Sequence, residues 1–314
     1  MISIATLAFL LLSSQDPGPR LPPPPGSNAL HLHDTWIARR GADGAYDPLL
    51  GEPIARSASV PEGLVLLRDG PAGRAGDILV LFVDARRLKG PGTEGLSRIR
   101  SSDGGKTWGE GRPIEIRGKR NRGACVDPSL VLLPDGRIRL YFFASEVGPP
   151  GPGEPGFRDL GSADGPHEIH SAVSSDGIHF EVEEGARIAV RRVTDPAVVR
   201  VSDGGWWMFL SRGPETLLAR SRDGLSFTLD PDWLCREGGV PGAIADGKGG
   251  ARLFVTGRGG IREMPVGPDG RMAPSKLALP TPCDAGVVAD PSPIRLADGS
   301  ELLVYKRIAR ITRV

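Results

Sequence analysis

The sequence predicts an all-β fold, specifically a five-bladed β-propeller, and three observations lead there. A hairpin unit of one pattern recurs along the chain, and turn-forming Gly and Pro (44 and 30 of 314 residues) are spread throughout rather than pooled. The prolines that open the units stand at 61, 128, 196, 241 and 291, hence 67, 68, 45 and 50 residues apart, which is a propeller-blade period with insertions.

Residues 1–14 read as a signal peptide, because the apolar run Ile2 to Leu12 ends in Ser13 and Ser14 and is too short to span a bilayer. Residues 15–27, with Pro22 to Pro25 consecutive, read as an extended proline-rich linker. Residues 28–314 then form a single propeller domain, and the protein is expected to be secreted or periplasmic. Three full repeats begin at Asp127-Pro128, Asp195-Pro196 and Asp290-Pro291. Each runs on through a strand, a tight turn at Asp135-Gly136, Asp203-Gly204 or Asp298-Gly299, and a second strand. Val60-Pro61 and Val240-Pro241 open two degenerate copies in the same frame. The fifth unit has too little chain after Arg307 for four strands, so ring closure needs a strand from His31 to Arg39 or Ile54 to Ser59.

Three repeats carry a further turn, Ser101-Ser102-Asp103-Gly104, Ser174-Ser175-Asp176-Gly177 and Ser221-Arg222-Asp223-Gly224, each followed by an aromatic (Trp108, Phe180, Phe227). The Asp and Ser side chains suit bonding to turn backbone, a structural role. Lys+Arg 39 against Asp+Glu 38 leaves a net charge of +1, which excludes a long-range field for nucleic acid or a membrane surface. We therefore expect no nucleic acid, no membrane insertion and a monomer. Cys125, Cys235 and Cys283 are odd in number, so at most one pair could bridge. No Cys/His spacing suggests zinc, and neither a metal nor another cofactor is expected.

The Ser-x-Asp-Gly turns, of which the first fits the full Asp-box pattern, resemble those of the sialidase/BNR-repeat propellers. The Asp-Pro hairpins resemble those of five-bladed glycosidases such as glycoside hydrolase family 43. The likeness covers roughly residues 58 to 308. It implies a five-bladed propeller with Asp-box turns and a glycosidase-like, exo-acting, sialidase-like or arabinanase-like activity. A family-43 mechanism implies a base early in the first blade, a second Asp that tunes it, and a Glu acid in the third blade. Asp127 matches the second of these, whereas Val60 and Asp195 stand where the base and the Glu would be. A sialidase mechanism implies an arginine triad and a tyrosine nucleophile.

Strand alternation places the Asp-Pro residues and the ends of the second strands on one face. Glycoside hydrolysis needs two carboxyl groups flanking the scissile bond, and aspartates converging in a desolvated pore push one another's pKa apart. The catalytic candidates are Asp127, Asp195 and Asp290, with Glu146 and Asp84 as further carboxyls on that rim. Arg86, Arg212, Arg258 and Lys306 are the substrate-binding candidates, since guanidinium forks suit carboxylate or sulfate. The reading is a secreted carbohydrate-active propeller hydrolysing an acidic or substituted glycan. Its alternative is a non-catalytic glycan- or protein-binding propeller.

Overall fold

The computed structural model describes residues 32–87, 95–118, 125–144, 166–283 and 285–309. The chain enters through β1 (His33–Arg40) and β2 (Tyr46–Pro48) and then builds blade I from β3 (Ala58–Val65), β4 (Ile78–Asp84), β5 (Leu96–Ser101) and β6 (Arg112–Pro113). Next, β7 (Glu115–Arg117) pairs in parallel with an outer strand of blade II. That blade comprises β8 (Cys125–Leu132), β9 (Ile138–Ala144), β10 (Pro166–Ser174), β11 (His179–Val182) and β12 (Ile188–Arg191). Blade III is β13 (Thr194–Arg200), β14 (Trp206–Arg212), β15 (Glu215–Ser221) and β16 (Thr228–Cys235). Blade IV is β17 (Gly238–Ala245), β18 (Ala251–Gly257), β19 (Gly260–Val266) and β20 (Lys276–Pro280).

The last blade is a composite. Only β21 (Ala285–Arg295) and β22 (Glu301–Ala309) come from the carboxyl-terminal repeat, and β1 and β2 complete the order β2-β1-β22-β21. Of the two closing segments expected, the one around His33 to Arg39 is used, in register from His33↔Ile308 to Arg39↔Leu302. Ala58 and Ser59, at the end of the other, belong to the inner strand of blade I. The last hairpin thereby has β22 paired on both sides, and its blade reaches the same four strands as blades I, III and IV.

Second strands are buried on both faces because neighbouring blades cover them. All seven residues of β4 are buried, and Trp206 to Ser211 of β14 likewise, which explains why these segments read as unbroken apolar runs. The core is divided into apolar clusters at the seams between blades, one centred on Tyr141 and Phe142 and others on Phe209, Phe82 and Phe254. The Asp-Gly turns sit where the repeat predicts, with Gly136, Gly204 and Gly299 at φ of 90°, 87° and 82°. In each Ser-x-Asp-Gly turn the Asp carboxylate accepts from backbone: Asp103 from Lys106 and Thr107, Asp176 from Ile178 and His179, and Asp223 from Leu225 and Ser226. Phe180 and Phe227 are buried beneath them, and Trp108 packs partly buried on the seam between the composite blade and blade I. No disulfide joins the cysteines. Among the described residues no helix is long and apolar enough to cross a membrane.

Candidate functional site

Every inner strand begins with the same irregularity. The ladder to the second strand skips between Ser59 and Glu62, Val126 and Ser129, Thr194 and Ala197, Gly239 and Gly242, and Ala289 and Ser292. Each skip is a bulge holding an X-Pro pair, where the missing proline N–H costs no ladder bond. The residue before each proline is left-handed, with φ of 47° at Val60, 55° at Asp127, 49° at Asp195, 50° at Val240 and 52° at Asp290. Aspartate tolerates that region, but a β-branched residue is strained there. The five bulges meet at one end of the axis and, with Glu62, line a narrow bore. Its free space of about 20 Å³ is room for roughly one water. A larger ligand can meet these groups only at the mouth.

Asp195 accepts from the hydroxyl of the adjacent Thr194, whereas Asp127 and Asp290 each reach a neighbouring blade. Asp290 Oδ2 accepts from the Val60 N–H at 3.2 Å, and Asp127 Oδ2 from the Asp195 N–H at 3.4 Å. Elsewhere in the ring a second-strand hydroxyl is the acceptor, in blade IV where Val240 offers none and in blade III although Asp195 stands there. Ser211 Oγ takes the Val240 N–H and Thr256 Oγ1 the Asp290 N–H. One layer deeper, Glu62 Oε1 accepts the Leu130 N–H, Ser129 Oγ the Val198 N–H, and Ser292 Oγ the Gly63 N–H. The same inter-blade bond thus recurs around the ring with different side chains supplying it.

Electrostatics separates the carboxyls. Burial raises Asp127 well above the usual range, and the neighbouring Asp195 and Asp290 add to this. Burial and the Asp290 charge lift Asp195 to about 6. Burial alone lifts Glu62 to about 7 against the bonds from Ser292, Leu130 and Ser129. Asp290 is instead ion-paired, its Oδ2 lying 2.5 Å from Lys306 Nζ, with both side chains buried. His33 is buried beside this pair. Its Nδ1 is 3.1 Å from Ser59 Oγ, its Nε2 has no partner, and burial with the Lys306 charge holds it neutral at a pKa of about 3.

The structure brings Asp127, Asp195 and Asp290 together and separates the remaining candidates. Asp84 does not line the bore. Burial opposes its ionisation, but Arg86, at 2.8 and 2.9 Å, and the Ser97 hydroxyl outweigh this and hold it below the usual carboxylate range. Asp84 and Arg86 therefore satisfy one another, leaving neither an unpaired base nor an unpaired substrate clamp. Arg212 pairs with Glu215 at 3.1 Å. Arg258 is exposed in the turn between β18 and β19, with no ion pair among the described residues. Lys306 is spent on Asp290 inside the blade, so a substrate does not reach it. Glu146 lies outside the described residues, as does most of each long insertion on that rim. Tyr46, Tyr141 and Tyr305 are buried in the blades, and none lines the bore. Glu62 and His33 join the aspartates at this end of the ring. The signal for Glu62 was its place two residues after Val60, in the frame of Ser129 and Ser292. Among the described residues no group of three or more His, Cys, Asp or Glu is arranged to hold a metal ion.

Fold and site together define a five-bladed propeller with a carboxyl cluster at one end of its axis. No family model matches the chain, and no curated protein matches it by sequence. Solved structures do match, among them several glycoside hydrolases. A putative glycoside hydrolase from Parabacteroides distasonis superposes with a TM-score of 0.54 at 12% identity, over 82% of this chain and 88% of that one. The GH43_1 enzyme from Xanthomonas citri, solved with xylotriose, gives 0.53 at 13% identity over 82% and 88%. The family 117 glycoside hydrolase Zg3597 from Zobellia galactanivorans gives 0.52 at 12% identity over 90% and 92%. At these identities the likeness is one of fold.

Proposed function

We propose that this protein is an exported carbohydrate-active propeller that hydrolyses glycosidic bonds of an acidic or substituted glycan from a chain end. The observation that carries the reading is the convergence of Asp127, Asp195, Asp290 and Glu62 at one end of the axis, three of them displaced toward their protonated forms. Hydrolysis requires one carboxyl that gives a proton to the leaving oxygen and one that acts as base or nucleophile, and a desolvated cluster divides those roles. Arg258, exposed and without an ion pair among the described residues, supports an anionic substituent on the ligand. The Ser-x-Asp-Gly turns serve as Asp boxes that stiffen the blades, and the leader 1–14 directs export. Asp127→Asn, tested on a panel of chromogenic glycosides, is expected to lose at least about 100-fold in turnover while still folding. Unchanged turnover would remove Asp127 from the chemistry.

A binding propeller without turnover is the second reading. It is favoured by the water-sized bore and by Val60 and Val240, which fill two of the five ring positions with apolar side chains. Retention on a glycan array by a protein inert toward every glycoside would decide for it.

A further inference from the structure

The four bore carboxyls differ in one respect that the fold itself imposes. Asp127, Asp195 and Glu62 receive only hydrogen bonds from neutral backbone and hydroxyl groups, whereas Asp290 also receives a cation. Lys306 stands on β22 opposite Ala289 in the ladder, so its side chain enters beside the Asp290 bulge. The same Asp290 oxygen also accepts the Val60 N–H from blade I, which fixes the carboxylate from two sides. From inside the blade the Lys306 charge also acts on Asp127 and Asp195. The groups facing the pair are Asp195 from β13, Asp127 from β8, Glu62 from β3 and the neutral His33 from β1. An ion-paired carboxylate surrounded by carboxyls that favour their protons is an acid/base set with its roles assigned by position.

We propose that Asp290 is the basic carboxylate of the site, that Lys306 is the positioning residue that fixes it, and that Asp195 across the bore carries the proton to be donated. This rests on the hydrolytic reading. At the mouth, a water gives a proton to Asp290 as its oxygen bonds to the anomeric carbon. The bond from that carbon to the leaving oxygen breaks, and the electron pair takes the Asp195 proton. The proton on Asp290 then returns to Asp195 through solvent, and the product carries the inverted anomeric configuration.

The test begins from a glycoside that the wild-type protein hydrolyses. Asp290→Asn is expected to lose at least about 100-fold in kcat, with azide restoring turnover and yielding the inverted glycosyl azide. Asp195→Asn should lose activity on poor leaving groups and far less on activated aryl glycosides. Lys306→Met should move the acidic limb of the kcat/KM profile upward by a pH unit or more, because it withdraws a cation that favours the ionised carboxyls of the bore. Lys306→Arg should move it little. A purely structural lysine would lower stability without moving that limb. Thermal unfolding establishes that each variant is folded at assay temperature; should Lys306→Met not fold, Asp290→Asn and Lys306→Arg carry the test. Wild-type-like turnover by Asp290→Asn overturns the assignment alone, whereas a wild-type protein inert on every glycoside overturns the hydrolytic reading and this assignment with it.

Discussion

The carboxyls of the bore trade stability for chemistry, and the sign of that trade can be worked out. Asp195 goes from an ordinary value of 3.8 to about 6 on folding. Below about pH 4 it is protonated in both states and costs nothing. Between about 4 and 6 the unfolded chain ionises more readily, so stability falls as pH rises, and above about 6 the full penalty, on the order of 3 kcal/mol, is in place. Asp195→Asn should therefore be more stable than wild type at pH 8 and similar at pH 4, as read by urea unfolding. Glu62, lifted from 4.5 to about 7, should behave alike in a window from about pH 4.5 to 7, so Glu62→Gln should remove much of the remaining slope. The aspartates could be read from the Asp-Pro repeat. Glu62 shares only its place in the repeat frame with Ser129 and Ser292, and nothing else local distinguishes a solvent-facing Glu from one aimed at an axis shared with four distant strands.

The X-Pro bulge is the element that makes the site, and its five copies are not equally comfortable. Val240 adopts φ of 50° with a β-branched side chain that belongs to none of the apolar clusters. Val240→Asn should relieve the strain and raise stability by about 1 kcal/mol, measured by thermal unfolding. At the opposite face Asp103 accepts from Ser101, Lys106 and Thr107 in a single turn. Asp103→Ala should cost ~1 kcal/mol and leave any activity at the other end of the axis unchanged. These turns and the Asp-Gly hairpins were legible in the sequence because their bonds join residues two to four apart. The bulge was not, since an alternation rule predicts a regular strand start and the insertion appears only when the partner strand is in register.

At the scale of the whole ring, closure depends on charge as well as on strand pairing. Arg40 of β1 and Arg252 of β18 meet Glu263 of β19 and Glu301 of β22, with the buried Tyr46 of β2 bonded to both Arg40 and Glu301. This network ties the composite blade to blade IV. Glu301→Gln, which leaves Arg252 and Arg40 short of a partner in a largely buried seam, should cost about 3 kcal/mol, visible as a fall in the urea midpoint. Repeated local turn chemistry and strand patterning carry the blade count, the hairpin frame, the face on which Asp127, Asp195 and Asp290 gather, and the need for an amino-terminal strand. Which charges are already spent, Asp84 on Arg86 and Asp290 on Lys306, and how little beyond water the bore admits emerge only once the blades pack together. Pairing and desolvation depend on what the neighbouring blade places opposite each side chain, and no residue's own sequence neighbourhood encodes that.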